Sequence, residues 1–599
     1  MKFLSLDNKW FVWTTFFLLF FYLILRAIFI TPYCDEVATL FEYIEAPYLI
    51  EPTIRETSAN NHLLNTLLGK FVYLFFGDNM ALLRIPNALS FILYFFSIKY
   101  IVLKCIVPKY QVVTFIALNS VAWIFEYFSY LRGYGLAIGL LFGSITLYYS
   151  WTQSKAKYKF ILFLIVLWLS VFANLSFFNT SIILWGYSIV YTFMHRKNFK
   201  KWDLLIYALL NLGYLAALIP LITYSFELKE AGALWWGNLS GIWECTGISL
   251  STITLFQHNS IIKYSFIFLI ILIGILGLKK LKEIGFKEFI TSFEGIFYTL
   301  FVGNIIMIEL LANLLNVNYP HDRAAVQLVL FLIITFILFF QKVKYLNYFS
   351  YLLLFFPISF IYKLSLDSSI YQTEHRLSRP IYHYLKTHLE DESSYSVCGL
   401  MSNSLNLELR KEKEIKLFNV EYYNSNAFES SFIAVESGFK PPSFYKLKFK
   451  DILSKIYIYE NTHKLEYKLL KDTVINFLNS NQDISLFQQK EIDSVYKIKR
   501  FKVKVSGKLR FSNFLTPLNL ILTLGDSLEP NRHYHSSLLG KLSESNKNIE
   551  FVWNSQVYNT ENDKKNVFIY FWNLEKQPVQ YTNVRLKIYG VVEGDLNLK

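Results

Sequence analysis

The chain has 599 residues, of which 54% are hydrophobic, 18% aromatic and only 17% charged. Soluble domains average about 25% charged residues, so the composition excludes a wholly soluble protein and describes a polytopic membrane protein with a more polar appendage. The net charge of +14 would suit a nucleic-acid surface, but the cations cluster in short connections between apolar runs, which argues against nucleic acid as a partner.

The first apolar run, Trp10 to Ile30, is too long for a signal-peptide core and lacks a small-residue cleavage site, so it reads as a retained anchor. With roughly 17 to 25 apolar residues per span, about eleven transmembrane helices are predicted. They lie near 10–30, 81–103, 110–128, 131–150, 158–173, 176–194, 203–225, 261–278, 292–314, 324–340 and 346–364. Alternate connections carry the positive charge: Lys2 and Lys9; Lys99, Lys104 and Lys109; Lys155, Lys157 and Lys159; Arg196, Lys197, Lys200 and Lys201; Lys279, Lys280, Lys282 and Lys287; Lys342 and Lys344. By the positive-inside rule these groups are cytoplasmic. The expected location is the inner (plasma) membrane, with a cytoplasmic N-terminus and an extracytoplasmic C-terminal region.

Two stretches before the second span break the register. His62 to Gly77 is hydrophobic but short and carries Lys70, so it reads as an amphipathic helix in the outer interface, with Leu64, Leu67, Leu68, Phe71 and Phe75 on one face. In residues 35–45, Val37, Leu40, Phe41 and Ile44 recur at helical spacing while Asp35, Glu42 and Glu45 avoid that stripe. The first outer loop, 32–80, is therefore expected to hold two surface helices lying over the membrane. Cys34, Cys105, Cys245 and Cys398 fit no zinc pattern or disulfide framework; a Cys34–Cys245 bridge stays open beside free thiols.

Past about residue 365 the long apolar runs stop. A helix is expected over 371–390 and strands at Tyr395 to Leu400, Lys416 to Val420 and Ile456 to Tyr459. Ile498–Val505, Leu518–Leu524, Glu550–Trp553, Val567–Trp572 and Val584–Ile588 then alternate like the strands of an antiparallel sandwich. The expected domains are a transmembrane one at 1–365, an extracytoplasmic α/β or irregular region at 366–494, and a β-sandwich-like domain at 495–599.

Several outer-side motifs carry a resemblance when taken in order: Asp35-Glu36, Asn60-Asn61-His62-Leu63-Leu64-Asn65, Leu83-Arg84-Ile85-Pro86-Asn87, Leu131-Arg132-Gly133-Tyr134 and Tyr319-Pro320-His321-Asp322-Arg323. Over roughly the first 365 residues the chain resembles the GT-C glycosyltransferases. It is most similar to the family 39-like branch that contains protein O-mannosyltransferases and the aminoarabinose transferases of lipid A. The resemblance implies an integral membrane enzyme that moves a hexosyl or pentosyl group from a polyprenyl-phosphate-linked donor to an extracytoplasmic glycan, lipid or protein, with inversion. It maps the catalytic base onto Asp35. The family's next motif usually has Pro after His, whereas here Leu63 follows His62.

The residues fit that chemistry on their own terms. An acceptor hydroxyl needs a carboxylate in reach to take its proton. A phosphate leaves as an anion, so one carboxylate suffices, and what the leaving group needs is fixed positive charge such as the guanidinium fork. Arg84, Arg132 and Arg323 lie at outer ends of predicted spans. Each assignment has a plainer rival. Asp35 also suits a helix start, and Glu36, about 100° further round, suits a supporting role or a salt bridge. The arginines also suit interfacial cations. His62 suits acceptor or metal binding, or a bond to loop backbone; Asn61, Tyr134 and His321 suit acceptor or loop positioning. Glu126, Glu294 and Glu309 default to paired or functional positions. Trp235, Trp236 and Trp243 suit either sugar stacking or the membrane interface, and Trp553 or Trp572 glycan binding by the sandwich. No cofactor is required, though a divalent cation (Mg or Mn) stays open. A transporter or lipid flippase, or a noncatalytic polysaccharide assembly or export component, is the alternative; the first should show internal repeats and broken midplane helices.

Overall fold

The computed structural model describes residues 5–46, 48–50, 59–234, 237–343, 345–366, 368–370, 377–388, 395–397, 404–405, 407–408, 420–422, 430–452, 455–462, 466–511, 518–525, 533–538, 548–555, 557–559, 566–573 and 576–592. Lys2, Trp235, Trp236, Lys344 and Cys398 lie outside them, as do residues 416–419 of one expected strand. Two compact units form: Met1–Ile30 with Tyr48–Leu366, and Thr31–Pro47 with Asp367–Lys599.

Along the chain the helices are α1 (Lys9–Phe29), α2 (Cys34–Ala38), α3 (Leu63–Phe76), α4 (Met80–Leu83), α5 (Ile85–Cys105), α6 (Pro108–Asn119), α7 (Ala122–Glu126), α8 (Gly133–Ser154), α9 (Lys157–Ala173), α10 (Phe178–Met194), α11 (Lys201–Glu230), α12 (Ile248–Leu255), α13 (Ser260–Ile284), α14 (Phe286–Thr291), α15 (Phe293–Leu315), α16 (Val326–Phe340), α17 (Phe355–Tyr362) and α18 (Arg379–Thr387). All but α2 and α18 belong to the first unit, and a further short helix, Ile492–Tyr496, lies in the second. Local chemistry sets many of the starts. Asn8, Asn79, Asn259 and Ser292 accept hydrogen bonds from backbone N–H groups of the turns they open, and prolines occupy the first turns of α5 and α6.

Six described helices are long and apolar enough to cross a bilayer, and the pair Pro108–Asn119 with Ala122–Ser129, bent by 52°, makes seven. That is fewer than the eleven expected. The runs near 158–173 and 176–194 become α9 and α10, each of 17 residues, about 26 Å long and so at the short end of what crosses a hydrocarbon core of about 30 Å. The last run is a 3-10 segment, Leu346–Leu354, leading into the short α17.

The surface of this unit is that of a membrane protein. On α13, Ile261, Phe268, Ile271, Ile275 and Leu278 are exposed, and only Ile273 and Gly277 are buried. An apolar helix bared in this way is stable where its solvent is lipid. In contrast, every residue of α16 except Phe336 is buried, which makes it the central helix. Close packing elsewhere uses small residues: a Cβ on Gly139 of α8 would lie 2.6 Å from the Ser90 carbonyl oxygen on α5.

The three glutamates expected within the membrane, Glu126, Glu294 and Glu309, each have a partner. Arg26 and Glu126, both fully buried, pair at 3.1 Å; the Tyr130 hydroxyl donates to the same carboxylate oxygen, and Arg26 also donates to Ser129 Oγ and the Ser365 carbonyl. Losing one partner of such a pair costs about 3–5 kcal/mol, so this cluster locks α1 to the α7 region and to the end of the unit. Glu294 pairs with Lys342, and Glu309 accepts from the Tyr319 hydroxyl and Asn313. Of the two fates open to intramembrane carboxylates, each of these takes a partner.

Helix α3 bares Leu67, Phe71, Leu74, Phe75 and Phe76 and buries Leu63, Leu64, Asn65, Thr66 and Gly69, so Leu64 parts from the other residues of the expected face because the first turn of the helix is packed in protein. The stripe in 35–45 differs. Val37, Leu40, Phe41 and Ile44 are buried in protein, not laid on a surface, because α2 runs into a wider π-helical segment, Thr39–Ile44, that turns in Thr39 and Tyr43 as well. Thr31–Pro47 groups with the C-terminal residues, and the Ser404 hydroxyl donates to the Pro32 carbonyl at 2.8 Å.

In the second unit the strands are β1 (Tyr395–Val397), β2 (Val420–Tyr422), β3 (Phe432–Glu436), β4 (Tyr445–Asp451), β5 (Ile456–Asn461), β6 (Glu466–Ser480), β7 (Ile484–Gln489), β8 (Arg500–Phe511), β9 (Leu518–Gly525), β10 (His533–Leu538), β11 (Asn548–Asn554), β12 (Tyr558–Asn559), β13 (Asn566–Asn573) and β14 (Val579–Val592). A mixed sheet of order β2-β1-β3-β5-β4, parallel only where β1 meets its neighbours, packs Phe432, Ala434, Ile456 and Ile458 against Ile381 and Leu385 of α18. Two antiparallel sheets follow, β10-β9-β13-β7 and β11-β8-β14-β6. They share one core in which Leu520, Leu522, Ile569 and Phe571 of the first meet Val503, Val505, Phe551 and Ile588 of the second. These sheets begin at Glu466, ahead of the expected boundary at 495, because β6 is an edge strand with few buried residues and no clean alternation. Trp553 is 1% exposed and belongs to this core, so it is a packing residue and not a glycan platform.

Candidate functional site

Three of the motif segments meet in the first unit at the beginnings of helices. His62 is the N-cap residue of α3 and Arg132 that of α8, while Arg323 stands on a 3-10 turn, Asp322–Ala325, leading into α16. Gly133 makes the meeting of α3 and α8 feasible: a Cβ there would fall 2.1 Å from the Ala173 carbonyl oxygen and 2.8 Å from His62 Cβ. The first turn of α8 is tied down by Asn87, whose side-chain oxygen accepts from the Leu136 N–H at 3.1 Å while its amide donates to Asn65 Oδ1 at 2.5 Å.

Within this frame the Arg132 guanidinium is buried and donates to Asn60 Oδ1 at 2.6 Å. It lies 5.9 Å from the centroid of the Tyr134 ring, which meets the His62 imidazole edge-on at 4.9 Å. His62 is 4% exposed, and its Nε2 has no hydrogen-bond partner among the described residues. Burial, and then the positive charges of Arg132 and Arg323, hold its pKa well below the usual histidine value. His62 is thus a neutral imidazole faced by two guanidinium groups. Asn61 serves the loop: it donates to the Leu49 carbonyl and accepts from Thr66. His321 Nδ1 meets Asp322 Oδ2 at 2.9 Å, a bond that raises its pKa above the usual histidine value.

Arg84 is engaged elsewhere. Its Nη1 donates to the carbonyls of Ala27 at 2.9 Å and Ile30 at 3.0 Å, satisfying acceptors at the end of α1. Among the residues that the sequence passed over are Arg26 and Ser249. Arg26 had a signal, a cation inside the first apolar run; Ser249 had none.

Asp35 and Glu36 belong to the second unit, on α2. Glu36 is fully buried, and its Oε2 accepts from the Tyr33 N–H at 3.4 Å, which makes it a cap of the turn. Asp35, one residue earlier, is half-buried, and its backbone carbonyl accepts from the Thr39 hydroxyl at 2.8 Å. Cys245 is a thiol that donates to the Tyr319 carbonyl. Among the described residues no group of three or more His, Cys, Asp or Glu side chains stands close enough to hold a metal ion.

The sign of the His62 shift gives a testable result. Below about pH 6.5 the unfolded chain binds a proton that the folded chain refuses, so His62 lowers stability as pH falls from 6.5 toward its depressed value, by up to about 1.4 kcal/mol per pH unit. His62→Gln should therefore lose less thermal stability than wild type between pH 7.5 and 5.5 in detergent. Equal losses would show that the imidazole is not held neutral.

Fold and site together define a helical membrane protein with a sheet-built appendage and a basic cluster at the starts of its helices. No family model matches the chain, and neither does any curated protein. Among solved structures it is similar to ArnT from Cupriavidus metallidurans in the apo state, at 11% identity and a TM-score of 0.36 over 75% of this chain and 98% of that one. The same protein bound to undecaprenyl phosphate gives 10% and 0.34, over 76% and 98%. Arabinosyltransferase EmbB from Mycobacterium smegmatis gives 10% and 0.31, over 95% of this chain and 64% of that one.

Proposed function

We propose that the chain is an integral membrane glycosyltransferase that moves a sugar from a polyprenyl-phosphate donor to an extracytoplasmic lipid, glycan or protein acceptor, with inversion. The observation that carries this reading is the pair of guanidinium groups, Arg132 and Arg323, facing a buried neutral His62 where α3 and α8 begin. Two guanidinium groups whose positive charges act on one buried imidazole offer an anion two forked donors. The positive N-terminal end of the 22-residue α8 adds to that field. A neutral imidazole offers the same anion, or its sugar, a hydrogen bond without a third full charge.

In the reaction, the acceptor oxygen bonds to the anomeric carbon as the bond from that carbon to the phosphate oxygen breaks. The polyprenyl phosphate departs as an anion held by Arg132 and Arg323. The acceptor proton passes to a carboxylate, the role that the sequence motif gives to Asp35. The positive-inside pattern supports an outer-face site, with the N-terminus in the cytoplasm. Arg84 fixes the end of α1, and in the other unit Glu36 caps the turn that carries Asp35.

The test is direct. The purified protein should bind undecaprenyl phosphate in detergent and transfer radiolabelled pentose or hexose from its polyprenyl-phosphate form to a membrane-extracted acceptor fraction. Absence of both binding and transfer across such a donor panel would overturn the reading.

A further inference from the structure

The segment that carries Arg323 is held by another stretch of the chain. The Cys245 thiol donates to the Tyr319 carbonyl at 3.0 Å and the Thr246 hydroxyl to the Pro320 carbonyl at 2.8 Å. The Asp322 N–H donates to Ser249 Oγ at 2.7 Å, and the Ser249 hydroxyl in turn donates to the Cys245 carbonyl at 2.9 Å. All three side chains are buried. On its other side the Tyr319 N–H donates to the Asn238 carbonyl at 2.9 Å, and only glycine fits at 237, where a Cβ would lie 2.1 Å from the Tyr319 carbonyl oxygen.

Two features set this contact apart from ordinary loop packing. Cys245 and Thr246 belong to a π-helical turn, Trp243–Gly247, that runs into α12; such turns are rare and concentrate at functional sites. Asp322 has φ of +45°, a left-handed conformation unusual for any residue but glycine, and strain of that kind persists only where the surroundings over-determine it. The bond from its N–H to Ser249 is such a determinant, and Arg323 is the next residue.

We propose that Ser249, with Thr246 and Cys245, forms a positioning clamp that holds Asp322 in its left-handed conformation and so aims the Arg323 guanidinium at the anionic headgroup of the donor lipid. Ser249 touches no substrate; it acts through Arg323. The proposal rests on the reading of Arg323 as a phosphate ligand.

A double-mutant cycle on full-length protein in detergent tests it, with undecaprenyl phosphate as the probe. Ser249→Ala should raise the Kd by about tenfold, the equivalent of one charge-assisted contact misplaced, and should add nothing further in an Arg323→Ala background. Thr246→Val, which keeps the side-chain shape and removes the bond to Pro320, should behave alike and serves where Ser249→Ala fails to fold. Ser251→Ala is the control, because that buried hydroxyl donates only within its own helix, to Ile248. Additive losses with Arg323→Ala, an unchanged Kd for Ser249→Ala and Thr246→Val, or an equal loss for Ser251→Ala would overturn the clamp and leave the anion site standing. An unchanged Kd for Arg323→Ala itself would overturn the anion reading at Arg323 and the clamp with it.

Discussion

Asp35→Asn should leave the protein folded, leave donor binding intact and lower sugar transfer by about two to four orders of magnitude, the usual contribution of a general base. The substitution keeps the size and planarity of the side chain and removes only its basicity. The turn that carries it has other supports: Glu36 accepts from the Tyr33 N–H, and the Thr39 hydroxyl donates to the backbone oxygen of residue 35. What is lost locally is one negative charge in the first turn of α2, worth about 0.3–1 kcal/mol. The anion site belongs to other residues, so the Kd for undecaprenyl phosphate should stay within about twofold, well under the 1.4 kcal/mol of a tenfold change. Transfer kinetics and lipid binding measured on the same preparation check both halves. Full retained activity would remove Asp35 as the base.

Arg132→Lys should weaken binding of the polyprenyl phosphate by about a hundredfold, although the formal charge is kept. Two charge-assisted hydrogen bonds are worth about 3 kcal/mol together, and a lysine cannot reproduce a planar fork. In this structure the guanidinium donates through Nη2 to Asn60 Oδ1 and through Nη1 to the Asn60 carbonyl, and it lies near the Tyr134 ring. An ammonium cannot hold the fixed planar geometry that lets one guanidinium serve Asn60 and a phosphate together. The loss should appear in the Kd and in KM for the donor, with a smaller change in kcat, because the phosphate is bound in ground state and transition state alike. An unchanged Kd would mean that Arg132 serves only to hold the loop at Asn60.

Much of the membrane unit was legible because its signals are local. Apolar runs located the helices, and Asn8, Asn79 and Pro108 mark where some of them start. The sandwich strands at 498–505, 518–524, 550–553, 567–572 and 584–588 showed through alternation, since each buries one face or two. Less legible were lengths and partners. Hydropathy marks α9 and α10 as readily as α13, but only the fold shows that they stop at 17 residues. The stripe Val37, Leu40, Phe41, Ile44 was real, yet its periodicity could not say whether lipid or protein would cover it. Arg84, Arg132 and Arg323 look alike in sequence, each at an outer helix end. Their separate fates were set by carbonyls of α1, by Asn60 and by the segment held at Ser249.

By itself, then, the sequence determined a membrane-embedded helical half, a sheet-built half and the small set of charged residues on which chemistry could rest, because hydrophobicity and turn preference are properties of neighbouring residues. Only the tertiary structure decided how those charges are employed. Arg26 finds Glu126, Arg84 finds the end of α1, and Asp322 finds Ser249 across stretches of 100, 54 and 73 residues. A hydrogen bond between groups so distant in the chain leaves no periodicity to read, since its energy is gained only when packing has already brought donor and acceptor out of water together.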